Sequence, residues 1–429
     1  MSAEKVETAP VSAGEQRARF FRQSGWLMIA NIAGGALMWG VHFLSKRLKE
    51  GEYGTFGAML SLVMVLPVMP LQMVLAQQAA KALATRREGE LAGMIRMIWL
   101  GTLALWMVGA AGVLFQQDSI MQRWGITNPL VLWITLLVCL FSIWLPLFSG
   151  VLQGQQNFLW LGWAMMSNGV GRFAGAALAV FALGGYASGM MSGVLLGVIV
   201  AVGFAIWQSY SLWRLPAVPF DWRALLAQVI PLMLGFAAFQ FLFTADTMFI
   251  KTYFTGSETD AYVSAGVLSR ALMWLVGPLA AVMFPRIVHS AAKSEKTDLM
   301  RTVLLGTLVL SVGGALGLWL LGPFVVKLVY PPHFVKTAVA VLPWYAFAMV
   351  PLALANVLLN NLLARGLFRI VPSLVVLAGA YGVALTQFHG SLITVLQVLG
   401  GFNLLLLAAC VWFTYRGQPA ESQAAQAAA

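Results

Sequence analysis

The sequence consists largely of long apolar runs separated by short polar segments. Each run is close to the roughly 20 residues that an α-helix needs to cross a lipid bilayer. Charged residues make up only 10% of the 429 residues and hydrophobic residues make up 60%, whereas a soluble domain carries about 25% charged residues. The pattern therefore predicts an all-α integral membrane protein, and it excludes a soluble enzyme, a disordered chain and a disulfide-rich secreted domain. Twelve spans are predicted, at residues 26–44, 54–76, 93–115, 129–152, 159–182, 189–210, 228–250, 262–284, 302–321, 337–363, 371–388 and 392–414.

The basic residues predict how these spans are oriented. The first apolar run is longer than the apolar part of a signal peptide and lacks a clear cleavage site, so we interpret it as a retained span. If the N-terminus is cytoplasmic, the inner segments hold 17 of the 26 Lys and Arg residues and the outer segments hold 7. Basic residues collect in cytoplasmic loops. We therefore interpret the net charge of +11 as an orientation signal rather than a sign of nucleic-acid binding, and expect both termini in the cytoplasm.

Two short motifs occur twice along the chain. Residues 52–57 (EYGTFG) follow the first span, and residues 258–263 (ETDAYV) follow the seventh span at an offset of 206. Residues 152–155 and 364–367 stand near the ends of the fourth and tenth spans. Parallel repeats with a site between them are typical of secondary transporters. The predicted organisation is a basic cytoplasmic segment, two lobes of six helices each with a parallel internal repeat, and a disordered tail, at residues 1–24, 25–215, 216–416 and 417–429.

One acidic residue, Asp246, lies inside a predicted span. It stands 8 residues before Phe254, where the outer loop begins, and Arg270 stands 8 residues after Tyr262, where the next span begins. The two side chains are therefore expected at similar depth on adjacent antiparallel helices. They form either a static pair that joins two helices or a functional pair that breaks during transport, and Asp246 is also a candidate for proton or Na⁺ coupling.

A second arginine, Arg172 in the fifth span, has no acidic residue near its depth. Asn168 lies one turn earlier on the same face, and Gly171 and Gly175 flank that face. An unpaired arginine at this depth indicates a hydrated cavity, an anionic ligand or both, and the alternative is a contact with backbone carbonyls inside the bundle.

Other polar residues recur at helical spacing. The seventh span carries a stripe from which Asp246 points away, so the acid and the stripe are expected to have different neighbours: Gln240, Thr244, Thr247 and Lys251. The first span carries a similar face, for which helix packing is the favoured interpretation: Asn31, Gly35, Met38 and His42. Arg22 belongs to a basic and aromatic collar that is expected to anchor the first span on anionic lipid, or else to meet an anionic headgroup. The two cysteines and four histidines show no disulfide or metal-ligand pattern, so no cofactor or metal is expected.

Residues 231–286 resemble the seventh and eighth spans of the oligosaccharide (Wzx-type) flippases, which belong to the multidrug/oligosaccharidyl-lipid/polysaccharide exporter superfamily. The matching positions follow in the same order: Asp246, Tyr262, Arg270, Pro285 and Arg286. The first hairpin also matches, at Leu48, Glu52, Tyr53, Gly54 and Phe56, and so does the end of the fourth span, at Leu152 and Gly154. The sequence departs from the family pattern at Lys251, where an apolar residue is usual.

The resemblance implies a flippase of the bacterial inner membrane that works by alternating access between two lobes. The implied cargo is a polyprenyl-diphosphate oligosaccharide, and the implied partners are membrane lipid, the polysaccharide polymerase and export proteins. Arg270 and Arg172 are the main candidates to bind the diphosphate. The further candidates are Asn168, Lys251, Arg22 and Asn31.

Two other functions are weighed against this one. A drug or organic-cation antiporter of the same superfamily is expected to carry an acidic cavity, whereas this chain has one intramembrane acid and two intramembrane arginines. A membrane enzyme of polysaccharide synthesis generally needs a sizeable loop domain, and the loops here are too short to fold into one. A lipid-scaffolding component without transport activity stays open as a third alternative.

Overall fold

The computed structural model describes the backbone of residues 13–292 and 299–415, and the side chains of residues 25–276 and 300–415 apart from those of 213 and 364. Within these ranges the chain forms thirteen α-helices and no strand. The helices are α1 (Ala13–Gly40), α2 (Glu52–Met64), α3 (Val68–Thr85), α4 (Glu88–Trp124), α5 (Leu130–Gly154), α6 (Phe158–Leu183), α7 (Tyr186–Trp213), α8 (Trp222–Tyr253), α9 (Gly256–Ala292), α10 (Leu299–Val329), α11 (Pro332–Ala364), α12 (Val371–Gln387) and α13 (Leu392–Tyr415). Two 3₁₀ helices, Val41–Arg47 and Phe368–Ile370, follow α1 and precede α12.

Every predicted span falls on one or two of the described helices, so the all-α membrane fold is confirmed. Eleven segments of the described chain are long and apolar enough to cross a membrane. The predicted eighth span falls on α9, a helix of 37 residues. The predicted tail 417–429 and the first twelve residues lie outside the described part of the chain.

The second span is broken rather than continuous. Proline has no backbone N–H, so it removes one hydrogen bond from a helix and kinks or breaks it. Here α2 ends at Met64 and α3 begins after Pro67. The break leaves carbonyl groups that need partners inside the membrane. Gln240 of α8 supplies one of them, because its Nε2 donates a hydrogen bond to Met64 O at 2.8 Å.

Side chains and glycines set several helix ends. The Asn157 side chain accepts a hydrogen bond from Trp160 N at the start of α6, and Asp221 accepts two from the first turn of α8. Gly125 and Gly184 adopt the left-handed conformation that ends α4 and α6. These signals place the short connections that keep neighbouring helices antiparallel.

The helices pack as two groups, which we call the first lobe (α1–α7) and the second lobe (α8–α13). Within the first lobe, α6 packs most extensively on α7, and within the second, α11 packs on α9, α10 and α13. Glycines allow the close approach of α6 and α7: a Cβ added at Gly171 would lie 2.8 Å from Gly197 Cα, and one at Gly175 would lie 3.1 Å from Gly193 Cα. The backbones of α6 and α7 therefore lie in direct contact at Gly171 and Gly175.

The two lobes meet mainly where α2 packs against α8 and α9. The polar stripe predicted on the seventh span follows this seam. Beyond Gln240, Thr244 Oγ1 lies 3.5 Å from Ser61 O, and Lys251 Nζ donates to Gly51 O at 3.3 Å. Asp246 lies off the seam, where Tyr262 and Tyr345 of the second lobe bond to it. It nevertheless shares Arg270 with Thr247 of the stripe, so the stripe and the acid have different neighbours only in part.

Candidate functional site

A cavity of about 450 Å³ lies between the two lobes. Both lobes contribute to its wall, which combines apolar surface with three basic side chains and two hydroxyls. No acidic residue lines it within the described part of the chain. The lining residues are Gly35, Met38, Trp39, His42, Gly57, Leu60, Ser61, Met64, Arg172, Thr247, Val263, Val267, Arg270, Ala271 and Trp274.

On the second lobe, the cavity wall holds Arg270 in a fixed position. Its Nη2 lies 2.7 Å from Asp246 Oδ1 and donates to Thr247 Oγ1 at 2.9 Å, and its Nε donates to Phe243 O at 3.1 Å. Only 9% of the Arg270 surface is exposed. Asp246 and Arg270 are thus paired, as the helix register predicts, and the guanidinium is held by three acceptors on α8.

The Asp246 carboxylate is fully enclosed on the far side of this pair. Its Oδ2 accepts hydrogen bonds from Tyr262 Oη at 2.9 Å and from Tyr345 Oη. These tyrosines come from α9 and α11, so the single carboxylate joins three helices of the second lobe. Asp246 is 0% exposed and does not line the cavity. Its contacts suit a structural pair, and the alternative role in ion coupling stays a prediction.

On the first lobe, the cavity wall holds Arg172 without a fixed partner. Its Nε is buried and makes no hydrogen bond, and no hydrogen bond or ion pair joins Arg172 to another described residue. An unsatisfied guanidinium is costly at membrane depth unless water or an anion reaches it. The arrangement therefore favours the hydrated or anion-facing interpretation of Arg172 over a contact with backbone carbonyls.

The face of the first span for which helix packing was favoured also borders the cavity. Gly35, Met38 and His42 line the central cavity. Asn31 and Met38 line a smaller cavity of about 110 Å³ inside the first lobe, together with Asn168. Met38 borders both cavities, so the smaller cavity, which Asn31 and Asn168 line, adjoins the central cavity. Two predicted site residues, Asn31 and Asn168, are thereby brought together, although neither lines the central cavity.

Two other candidates lie elsewhere. Lys251 is buried in the contact between the lobes and does not line the central cavity, so its predicted role in binding cargo stays a prediction without support from its position. Arg22 lies in α1, but its side chain is outside the described side chains. Among the residues that the structure describes, no group of His, Cys, Asp and Glu is arranged to hold a metal ion.

A chain of hydrogen bonds that joins the two lobes was not predicted from the sequence. His42 Nδ1 lies 2.8 Å from Tyr53 Oη, and Tyr53 Oη lies 3.4 Å from Tyr330 Oη of the second lobe. All three side chains are buried. Tyr53 is separated from Tyr330 by 277 residues. His42 and Tyr53 were each noted in the sequence, but nothing in the sequence connected them with Tyr330.

Comparisons with known proteins agree with this fold. A family model described as "Lipid II flippase MurJ" matches residues 89–378. A solved structure of the lipid II flippase MurJ in an inward closed conformation superposes with a TM-score of 0.69 at 14% identity, covering 92% of this chain and 87% of that chain. An inward-facing multidrug resistance MATE family transporter of the MOP superfamily superposes with a TM-score of 0.68 at 14% identity, covering 88% and 94%. No curated protein matches the sequence.

Proposed function

The chain belongs to the lipid II flippase MurJ family, and on that premise we propose that it is a flippase for a polyprenyl-diphosphate-linked oligosaccharide used in surface polysaccharide synthesis. The cargo moves from the cytoplasmic to the periplasmic leaflet of the bacterial inner membrane, with both termini in the cytoplasm. The family assignment supports the exporter superfamily that the sequence resembles, and the assignment to the Wzx-type branch remains part of this proposal.

The observation that carries the proposal is Arg172, whose Nε is unpaired in a cavity that no acidic residue of the described chain lines. A diphosphate is an anion that accepts several hydrogen bonds, and a guanidinium binds phosphate oxygens in pairs. The Nε of Arg172 has no partner, whereas Arg270 across the same cavity already has three acceptors. Arg172 is therefore the main diphosphate ligand, and Arg270 adds positive potential from a fixed position.

The remaining cavity surface suits the rest of such a cargo. Asn31 and Asn168 offer uncharged donors and acceptors beside the basic site, which is the chemistry that recognises sugar hydroxyl and amide groups. The lipid tail stays in the bilayer while the two lobes alternate around the cavity. A proton or Na⁺ gradient drives the cycle, and the polymerase and export proteins receive the product.

An antiporter for cationic drugs is the second candidate, favoured by the likeness to the MATE fold. Its cargo would need a carboxylate in the cavity, because a buried cation needs a compensating charge. The one intramembrane acid, Asp246, is occupied by Arg270, Tyr262 and Tyr345. The charge of the cavity therefore favours the anionic cargo.

A proteoliposome assay tests the proposal. Purified protein is reconstituted with a fluorescent polyprenyl-diphosphate oligosaccharide, and transfer between leaflets is followed with and without a proton or Na⁺ gradient. We expect gradient-dependent transfer that falls about tenfold or more in Arg172→Ala, since a hydrogen bond to a charged group contributes about 1.5–3 kcal/mol. The matched control is Arg214→Ala, which removes an exposed arginine that follows α7 and donates a hydrogen bond to Tyr210 Oη.

The other outcomes are equally informative. Efflux of a cationic dye without transfer of the oligosaccharide would replace this proposal with the antiporter. Transfer of lipid II but not of the oligosaccharide would keep the flippase and correct the cargo. Equal transfer by Arg172→Ala and by the wild type would remove Arg172 from the site.

A further inference from the structure

The two copies of the first repeated motif meet each other at the boundary between the lobes. Gly54 of α2 contacts Asp260 of α9, and these residues are separated by the repeat offset of 206. Gly57 faces Val263 at the same offset. Equivalent residues of two parallel repeats meet only near the axis that relates the repeats. These segments therefore form the contact about which the lobes are arranged, at the end of the bundle where α1 gives way to α2.

Asp260 crosses this boundary to cap a helix of the other lobe. Its Oδ2 accepts a hydrogen bond from Gly51 N at 2.7 Å, and its Oδ1 accepts one from Gly54 N at 2.6 Å. Gly51 and Gly54 lie at the N-terminus of α2, where unpaired N–H groups and the helix dipole favour a negative charge. Asp260 is 1% exposed. A carboxylate of the second lobe thus supplies the cap that α2 lacks within its own lobe.

A lysine of the second lobe completes the same contact. Lys251 Nζ donates to Gly51 O at 3.3 Å, so both the N–H and the carbonyl of Gly51 are held from across the boundary. Gly51 has a φ of +82°, a conformation that glycine adopts without strain. The chain turn before α2 therefore presents its backbone, rather than a side chain, to the opposite lobe.

The two repeats carry side chains of different size at equivalent positions, and the larger side chains of the second repeat pack against the glycines of the first. A Cβ added at Gly54 would lie 2.4 Å from Thr259 Cγ2, and a Cβ added at Gly57 would lie 2.4 Å from Val263 Cγ1. The first lobe has glycine where the second has Asp260 and Val263. Close packing of this kind forms or separates as a unit, because its contacts fail together once the surfaces move apart.

We propose that Asp260 is a latch between the lobes: its carboxylate, bound to the N-terminus of α2, holds this end of the cavity closed, and each transport cycle must release it. The inference rests on the alternating movement of the lobes and is independent of the cargo. When the lobes separate, the carboxylate loses its hydrogen bonds to both N–H groups at once. The free energy of these hydrogen bonds therefore stabilises the closed state. The positive charge of Lys251 adds to that stability. The charge bias of the loops predicts that the latched end faces the periplasm.

The test measures how often this end opens. Thr259 is 0% exposed and lies under the glycine face of α2, so a Thr259→Cys thiol reacts only when the lobes part. The two native cysteines, Cys139 and Cys410, are replaced by alanine. The rate of reaction with a membrane-impermeant maleimide is then measured on the full chain in spheroplasts and in inside-out vesicles. We expect Asp260→Asn to raise the labelling rate about tenfold, as expected for weakened hydrogen bonds to a charged group.

Glu258→Gln is the matched control. It removes a carboxylate next to the labelled position, but Glu258 bonds only to Thr255 within its own lobe. Any effect of charge on the thiol itself appears in both variants, and the loss of the latch appears only in Asp260→Asn. Equal rates in the two variants would overturn the proposal. The readout needs no cargo, so a wrong cargo assignment would leave this result unchanged.

A second variant tests the same contact without changing a charge. Gly57→Ala places a methyl group against Val263 and is expected to raise the labelling rate as well, because the lobes can no longer close fully. Gly112→Ala is its control, since a Cβ at Gly112 meets nothing within 4 Å. Labelling of Gly57→Ala at the control rate would contradict a close-packed latch even if Asp260→Asn failed to fold.

Discussion

The two walls of the central cavity use the same residue type in opposite ways. Arg270 on the second lobe is held by Asp246, Thr247 and the carbonyl of Phe243. Arg172 on the first lobe lines the same cavity with its Nε unpaired. A guanidinium with its acceptors in place contributes to the structure of its lobe, and one without them is available for a ligand. The identity and depth of a charged residue therefore do not define its role; the partners supplied by neighbouring helices do.

The largest expected effect is on the stability of the second lobe when Arg270 is removed. Arg270→Ala leaves Asp246 charged and buried beside two tyrosines, and an uncompensated buried charge typically costs about 3–5 kcal/mol. Equilibrium unfolding in mixed micelles measures the loss. An unfolding free energy within about 1 kcal/mol of wild type would show that Arg270 does not stabilise the second lobe.

A double variant tests how strongly Asp246 and Arg270 interact. The pair Asp246→Asn and Arg270→Gln leaves neither position charged, so the double variant is expected to be more stable than Arg270→Ala alone. The coupling energy from the four-member cycle with the two single variants is expected at about 1–3 kcal/mol. Additive single effects would mean that the 2.7 Å contact carries no net interaction.

A smaller effect is expected from the tyrosine that reaches Asp246 from α11. Tyr345→Phe removes one donor to Asp246 Oδ2 and keeps the ring against Arg270. The expected loss of unfolding free energy is about 1–2 kcal/mol, because the carboxylate keeps Tyr262 and Arg270. Tyr415→Phe is the control, since Tyr415 is exposed at the end of α13. A loss equal to that of Arg270→Ala would place Tyr345, rather than the arginine, at the centre of the cluster.

The smallest expected effect on stability is at Arg172. Arg172→Ala removes no hydrogen bond or ion pair to a described residue, so the unfolding free energy is expected to change by less than about 0.5 kcal/mol. Binding of a soluble polyprenyl-diphosphate analogue, measured by titration calorimetry, is expected to weaken in the same variant. Strong destabilisation with unchanged binding would show that Arg172 is a structural residue and not a ligand-binding one.

Much of the fold was predictable because segments that span a membrane can be recognised from their local sequence. Apolar length alone predicts a span, and the predicted spans fall on described helices, although the second is divided between α2 and α3. Depth along adjacent antiparallel helices can also be counted, so the pairing of Asp246 with Arg270 followed from their equal distances to one loop. The break between α2 and α3 was less predictable. A proline bends or breaks a helix according to whether a neighbour, here Gln240, satisfies the freed carbonyl.

The site was predictable only in part. Arg172 and Arg270 were both identified because charge is rare in a membrane span, but their different states depend on which acceptors α8 brings near each of them. Lys251 and the face of α1 show the same limit, since helical spacing predicts which residues share a face and not what that face meets. The loose apolar pattern of the family likewise supported the superfamily more firmly than any branch within it.

Local sequence was enough to predict the membrane class, the apolar spans, the repeat and the short list of intramembrane charges, because each of these follows from composition and counting. Only the folded chain shows that Arg172 Nε has no partner among the described residues, that Gly35 and Met38 of α1 line a cavity, and that Asp260 caps the helix at Gly54, 206 residues away. These facts depend on contacts between distant segments. Hydrogen bonds and close packing act over a few ångströms, and only the folded chain brings those segments within that distance.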